Sequence, residues 1–159
     1  IPPFIDPNIR TTIMTYNLNI LNRIVHNPNY SVIFWGGHYH ADTMCFESKQ
    51  SVELIDKVRA SKVFVSAAGV HLSLGITCVN HYEFGIKQAI MKAAAERILL
   101  VDSSKFDRVS PCVFAQIADF DRVITDSNID PEWVHRLNKL DIAPEIVPIS
   151  DEEMLASRR

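Results

Sequence analysis

Short, nearly continuous runs of apolar and β-branched residues recur along the chain: Thr11 to Thr15 (TTIMT), Ser31 to Trp35 (SVIFW), Lys62 to Val65 (KVFV), Ile98 to Val101 (ILLV), Arg122 to Thr125 (RVIT) and Glu145 to Ile149 (EIVPI). Runs of four to six residues with so little alternation predict strands buried on both faces, as in a parallel sheet covered by helices. Between several of them, apolar residues recur at helical spacing: Leu18, Leu21 and Val25; Val52, Ile55 and Val58; Ile86, Ile90 and Ala93; Trp133, Leu137 and Leu140. Asp130 before Pro131 predicts the start of the last of these helices, with the aspartate as cap and the proline in the first turn. The polar end SDEEMLASRR reads as a short helix or a frayed tail. The alternation of strand and helix predicts an α/β fold with a mainly parallel sheet, without an internal repeat or a linker.

Open parallel sheets bind ligands outside the carboxyl ends of their strands. That rule directs attention to Tyr16-Asn17, Gly36-Gly37, Ser66 to Gly75, Asp102 to Lys105, and Asp126 to Asn128, the loops after the first five strands. In the segment SAAGVHLSLGITCVN (Ser66 to Asn80), small residues at Ser66, Ala67, Ala68 and Gly69 let a backbone approach a ligand, and their N–H groups can face an anion; a tight strand exit without a ligand is the alternative. Asn80 and Glu83 have the spacing of a capping box, and Glu83 and Lys87 that of a surface ion pair. The same carboxylate and ammonium could instead hold sugar hydroxyls and phosphate, and the two readings are compatible. Asp102-Ser103-Ser104-Lys105 offers an acceptor, two hydroxyls and a cation, the groups a phosphorylated ligand needs, or else a simple turn with a solvated lysine.

Composition narrows the classes. The chain has 159 residues, 47% of them hydrophobic and 22% charged, and no uninterrupted apolar run long enough to suggest a membrane span. A net charge of -3 gives no general attraction to a phosphate backbone, so DNA contact is expected to lie elsewhere. Cys45, Cys78 and Cys112 are odd in number, widely spaced and without a CxxC pair, which argues against a disulfide framework and a zinc knuckle and suits a reducing cytoplasm. His38, His40 and Cys45 lack a convincing fourth metal ligand, so exposed loop histidines are the commoner explanation. His71 and His81 lie near the candidate pocket, as ligand donors or as surface residues. Neither GxGxxG nor GxxxxGK[ST] occurs, which removes the usual support for a nucleotide cofactor; no cofactor or metal is expected. The opening IPPFIDPNIR has neither an initiator Met nor the character of a signal peptide, and suggests a piece of a longer protein.

The string SAAGVH, the spaced Gly75, Thr77, Asn80, Glu83 and Lys87, then LLVDSSKF from Leu99 to Phe106 and VITDS from Val123 to Ser127, together resemble the sensor domain of DeoR-family transcription regulators. TYNLN from Thr15 to Asn19 and Gly36-Gly37 resemble further family segments, so the resemblance runs from about Ile9 to Ile149. It implies a three-layer α/β/α domain similar to the ribose-5-phosphate isomerase / NagB / CoA-transferase-like fold, N-terminally incomplete, lacking a winged helix-turn-helix and the first βα segment of the sensor. It further implies an effector-binding domain, not an enzyme, that answers to a phosphorylated sugar, with deoxyribose 5-phosphate the first candidate. Operator DNA would be met only through the absent head, no membrane would be involved, and the protein would form a homodimer or higher homo-oligomer. The ligand-binding residues so implied are Thr15, Asn17, Gly36, Gly37, Ala68, Gly69, Gly75, Thr77, Glu83, Lys87, Asp102, Ser103, Ser104 and Lys105. Tyr16 and Asp107 depart from the family pattern, which commonly has Asn and Gly there. A sugar-phosphate isomerase of the same fold, with Glu83 as base and Lys105 on phosphate, is the alternative, and a purely structural oligomerisation module a third.

Overall fold

The computed structural model describes residue 3 and residues 5–149. The tail SDEEMLASRR lies outside the described residues. Two compact units, residues 1–54 and 55–159, divide the chain.

In the first unit, β1 (Thr11–Thr15) and β2 (Tyr30–Phe34) pair in parallel, with Thr11 opposite Tyr30 and Thr15 opposite Phe34. Parallel neighbours need a crossover, and α1 (Leu18–Ile24) supplies it. Asn17 caps that helix: its side-chain oxygen accepts from the Ile20 N–H at 3.2 Å. The antiparallel hairpin β3 (His38–His40) and β4 (Cys45–Glu47), followed by α2 (Lys49–Ile55), was not anticipated. Strands of three residues, HYH and CFE, are too short to leave an apolar run to find. The expected second helical stripe also stops short, since Val58 lies beyond α2.

The second unit carries a four-stranded, wholly parallel sheet in the order β11-β10-β8-β5, made of β5 (Ala60–Val65), β8 (Ala94–Leu100), β10 (Arg122–Asp126) and β11 (Glu145–Val147). With α3 (His81–Ala93) leading into β8 and α4 (Pro131–Lys139) joining β10 to β11, this is the expected α/β class, compatible with a three-layer arrangement. Ile98 and Leu99 of β8, Val123 of β10, and Trp133 and Leu137 of α4 are buried at its core. Burial on both faces holds for the centre of β8 only. At the edges, Phe64 of β5 and Ile146 and Val147 of β11 remain exposed, because an edge strand is covered less completely. The last strand ends at Val147 and not at Ile149, just before Pro148, which has no N–H to give a ladder. Asp130 accepts from the Glu132 N–H at 2.8 Å with Pro131 in the first turn of α4, as its sequence predicts.

The segment Ser66 to Asn80 differs from expectation: it is a β-hairpin, not an open loop. β6 (Gly69–His71) and β7 (Gly75–Cys78) pair antiparallel, and β9 (Cys112–Ala115) adds a third strand beside β7. Gly75 has φ +84, and a Cβ there would stand 2.7 Å from the Ala115 carbonyl oxygen; a Cβ on Gly69 would stand 2.4 Å from that of Arg108. Among the described residues, no helix is long and apolar enough to cross a membrane.

Candidate functional site

Because β8 and β10 are parallel neighbours with Leu100 opposite Ile124, the residues that follow them emerge side by side. Both strands run into Asp-Ser, at Asp102-Ser103 and Asp126-Ser127. Each aspartate turns the chain by accepting an N–H two residues on: Asp102 from Ser104 at 3.0 Å, and Asp126 from Asn128 at 2.9 Å. Asp126 also accepts from the Ser103 N–H at 2.6 Å, tying the two loops together. Burial pushes the Asp126 carboxyl up, but the Ser103 and Asn128 donors outweigh it and hold the group below the usual carboxylate range. Asp102 behaves alike: against its burial, the Ser104 hydroxyl and the Lys105 ammonium hold it low.

Ser103–Lys105 form a single 3-10 turn capped by Asp102. Lys105 Nζ lies 3.1 Å from Asp102 Oδ2 and donates to the Ser104 hydroxyl at 3.1 Å. The lysine is therefore a paired cation, and an incoming anion would share it with Asp102. These groups border an open cleft of about 780 Å³ whose other wall is Thr125, Asp126, Asn128 and the Val147–Ile149 segment. Thr125 is buried there, and its hydroxyl has no hydrogen-bond partner among the described residues.

The turn is braced from behind. Asp107 takes φ +56, a left-handed conformation that aspartate tolerates better than most residues. Its carboxylate accepts from the indole Nε1 of buried Trp133 at 2.8 Å, and Phe106 packs on the same ring with centroids 5.0 Å apart. A bridge between Val70 and Phe106 sets the β6 strand beside this turn.

Glu83 and Lys87 form a second cluster. The expected surface pair is buried: Lys87 is 3% exposed, its Nζ is 3.1 Å from Glu83 Oε2, and it donates to the Ser66 carbonyl at 2.7 Å above the Phe114 ring. The expected capping box is not made either. Asn80 stands at the N-cap position of α3 without a side-chain cap bond, and its amide donates to Tyr82 Oη and Glu83 Oε1. The Glu83 carboxylate pairs with the buried Lys87 ammonium.

The remaining expected residues have these places. Ala68 donates its N–H to the Thr77 carbonyl at 2.8 Å, within the hairpin. Thr77 is wholly buried; its hydroxyl donates to the Gly69 carbonyl and accepts from the Ser110 N–H. Gly69 and Gly75 are sites of close strand packing. In the first unit, Thr15 Oγ1 accepts from the Asn17 N–H, and the Asn17 amide donates to the Thr43 carbonyl and Cys45 Sγ. The Gly36 carbonyl accepts from Ser51 Oγ, and Gly37 (φ +144) packs against the Glu47 backbone. His40 meets Glu47 at 3.0 Å, and the described residues hold no group of three or more His, Cys, Asp or Glu placed for a metal. The strand-end rule points to the loop of Asp126 and Asn128, but neither these two nor Thr125 is among the expected ligand residues. The signal was present in the repeated strand ending, LVDSS beside ITDSN.

Comparison with known proteins places residues 3–127 in register with the DeoR C terminal sensor domain family. The chain is 33% identical over 130 residues to the deoxyribose operon repressor of Escherichia coli (strain K12), covering 82% of this chain and 52% of that protein. It is 30% identical over 135 residues to the HTH-type transcriptional regulator IolR of Bacillus subtilis (strain 168), covering 85% and 54%. Against the L-fucose operon activator of Haemophilus influenzae, identity is 25% over 126 residues, covering 79% and 51%. The chain thus spans about half the length of the curated relatives it matches.

Proposed function

This chain belongs to the DeoR C-terminal sensor domain family of transcription regulators, and from that premise we propose that its cleft beyond β8 and β10 binds a phosphorylated sugar that controls a regulator of sugar or nucleoside catabolism. The observation that carries the reading is the side-by-side placement of Asp102 and Asp126, with Lys105 and the Ser103 and Ser104 hydroxyls around the same opening. Ionised carboxylates accept from sugar hydroxyls, while an ammonium and two hydroxyls suit a phosphoryl group. Lys87, paired with Glu83, supports the site by donating to the Ser66 carbonyl at the exit of β5, the strand beside β8. The resemblance of SAAGVH and of the deoxyribose operon repressor makes deoxyribose 5-phosphate the first ligand to try.

In this reading the chain senses and does not catalyse. Glu83, the base of an isomerase alternative, is paired with Lys87. Operator DNA is contacted by a part of the regulator outside this chain, in the cytoplasm and as a homodimer or larger homo-oligomer, and the effector acts by binding one state better than the other. Calorimetric titration of the regulator with deoxyribose 5-phosphate, ribose 5-phosphate, free deoxyribose and inorganic phosphate tests the assignment. Binding of a phosphorylated sugar at least about tenfold tighter than the free sugar is expected, a difference of about 1.4 kcal/mol. Equal or tighter binding of the free sugar overturns it.

A further inference from the structure

Cys78 and Cys112 are far apart in sequence but directly opposite each other across the antiparallel pair β7 and β9. Opposed residues of such a pair point to the same face, with Cα atoms about 4.5 or about 5.5 Å apart according to their place in the ladder. Both spacings fall within the window of about 4.4 to 6.8 Å that a disulfide spans. The thiols themselves give an independent sign of proximity. Cys78 Sγ lies 3.6 Å from the Asn80 carbonyl oxygen and Cys112 Sγ 4.0 Å from that of Val79, two consecutive residues. The sulfurs therefore lie against one short stretch of backbone, at the entrance to α3.

We propose that Cys78 and Cys112 are a reversible redox pair that closes into a cross-strand disulfide under a peroxide oxidant. Their environments divide the work between them. Cys112 is half-buried and reachable, whereas Cys78 is buried. Burial pushes the Cys78 thiol up to about 11, against the pull of the nearby Lys87 charge, so it is a thiol at neutral pH and does not compete with Cys112 for the peroxide. In the first step the Cys112 thiolate attacks one peroxide oxygen. The O–O bond breaks, hydroxide leaves and is protonated to water, and Cys112 becomes a sulfenic acid. In the second, the Cys78 sulfur attacks the Cys112 sulfur. The S–O bond breaks, the S–S bond forms, and the departing hydroxide takes the Cys78 proton as a second water. Two thiols are oxidised and one peroxide is reduced. A small thiol reverses the bond by exchange.

The reaction sits beside a cluster already described, since Glu83 and Lys87 both act on the Cys78 thiol. It requires no effector, so its failure leaves the sugar-phosphate reading standing, and the converse holds.

The test is peptide mapping of the chain treated with hydrogen peroxide after purification under reducing conditions, with remaining thiols blocked by N-ethylmaleimide before digestion. A peptide joining Cys78 to Cys112 is expected, lost on treatment with dithiothreitol, absent from Cys112→Ser and retained in Cys45→Ser. Cys112 is the position substituted because its side chain is half-buried, and an unchanged melting temperature of the reduced variant shows that the fold is kept. Recovery of Cys112 as sulfinic acid with Cys78 still blocked as a thiol overturns the proposal, as does linkage of Cys112 to Cys45 or to a second chain.

Discussion

Two lysines of similar promise in sequence have opposite surroundings. Lys87 is buried against Glu83, the Ser66 carbonyl and Phe114, while Lys105 is a third exposed and pairs with a half-exposed Asp102. Removing one member of a buried pair leaves the other charge without compensation, so Lys87→Ala should cost about 3–5 kcal/mol of stability in urea denaturation. Lys105→Ala should cost no more than about 1 kcal/mol, as exposed pairs do, yet reduce affinity for a phosphorylated sugar roughly tenfold to hundredfold in calorimetry. Equal losses of stability would show that Lys105 supports the fold. Residue type and spacing revealed that Glu83 and Lys87 meet. They could not reveal that the meeting is buried, because that depends on β9 carrying Phe114 over the lysine.

Elements were legible in proportion to how local their causes are. β1 was visible with its own ends, and α4 with its cap, because apolar continuity and the Asp-Pro signal lie within the segments concerned. The antiparallel β6-β7-β9 sheet was not visible. Its strands have three or four residues, and the pairing of β7 with β9 joins segments separated by a helix and a strand of the other sheet. Of the glycines expected at the ligand, Gly69 packs closely against the Arg108 carbonyl and the Thr77 side chain, and Gly75 against β9. Gly75→Ala combines a left-handed backbone with a Cβ 2.7 Å from the Ala115 oxygen, and should lose about 1–3 kcal/mol in thermal melts. Gly36→Ala meets no atom within 4 Å and should stay within about 0.5 kcal/mol of the parent. A Gly75→Ala variant as stable as the parent would mean that the hairpin can shift away from β9 without loss.

At the scale of the molecule, the α/β class and the family were open to reading because they rest on the order of many segments. The grouping of site residues was not, since Asp102 and Asp126 become neighbours only through the parallel register of β8 and β10. Net charge acts at this scale too. A chain of charge -3 releases few counterions from a phosphate backbone. In gel mobility assays at about 0.15 M salt, the chain by itself should not retard a DNA duplex of any sequence. Retardation that distinguishes one sequence from another would place DNA recognition inside this chain and undo the division of labour proposed for the regulator.

The hydrogen bond from Trp133 to Asp107 turns the cleft into an optical object. Trp133 is one of two tryptophans in the chain, is 2% exposed, and is held by a residue two positions beyond Lys105. A carboxylate on the indole N–H perturbs the excited state of the ring, so a ligand that shifts the Ser103–Lys105 turn should alter the wavelength and yield of its emission. With Trp35→Phe the remaining tryptophan signal comes from Trp133 alone, and an effector titration followed by its emission should report occupancy of the cleft; emission unchanged at saturating effector would show that the turn does not respond.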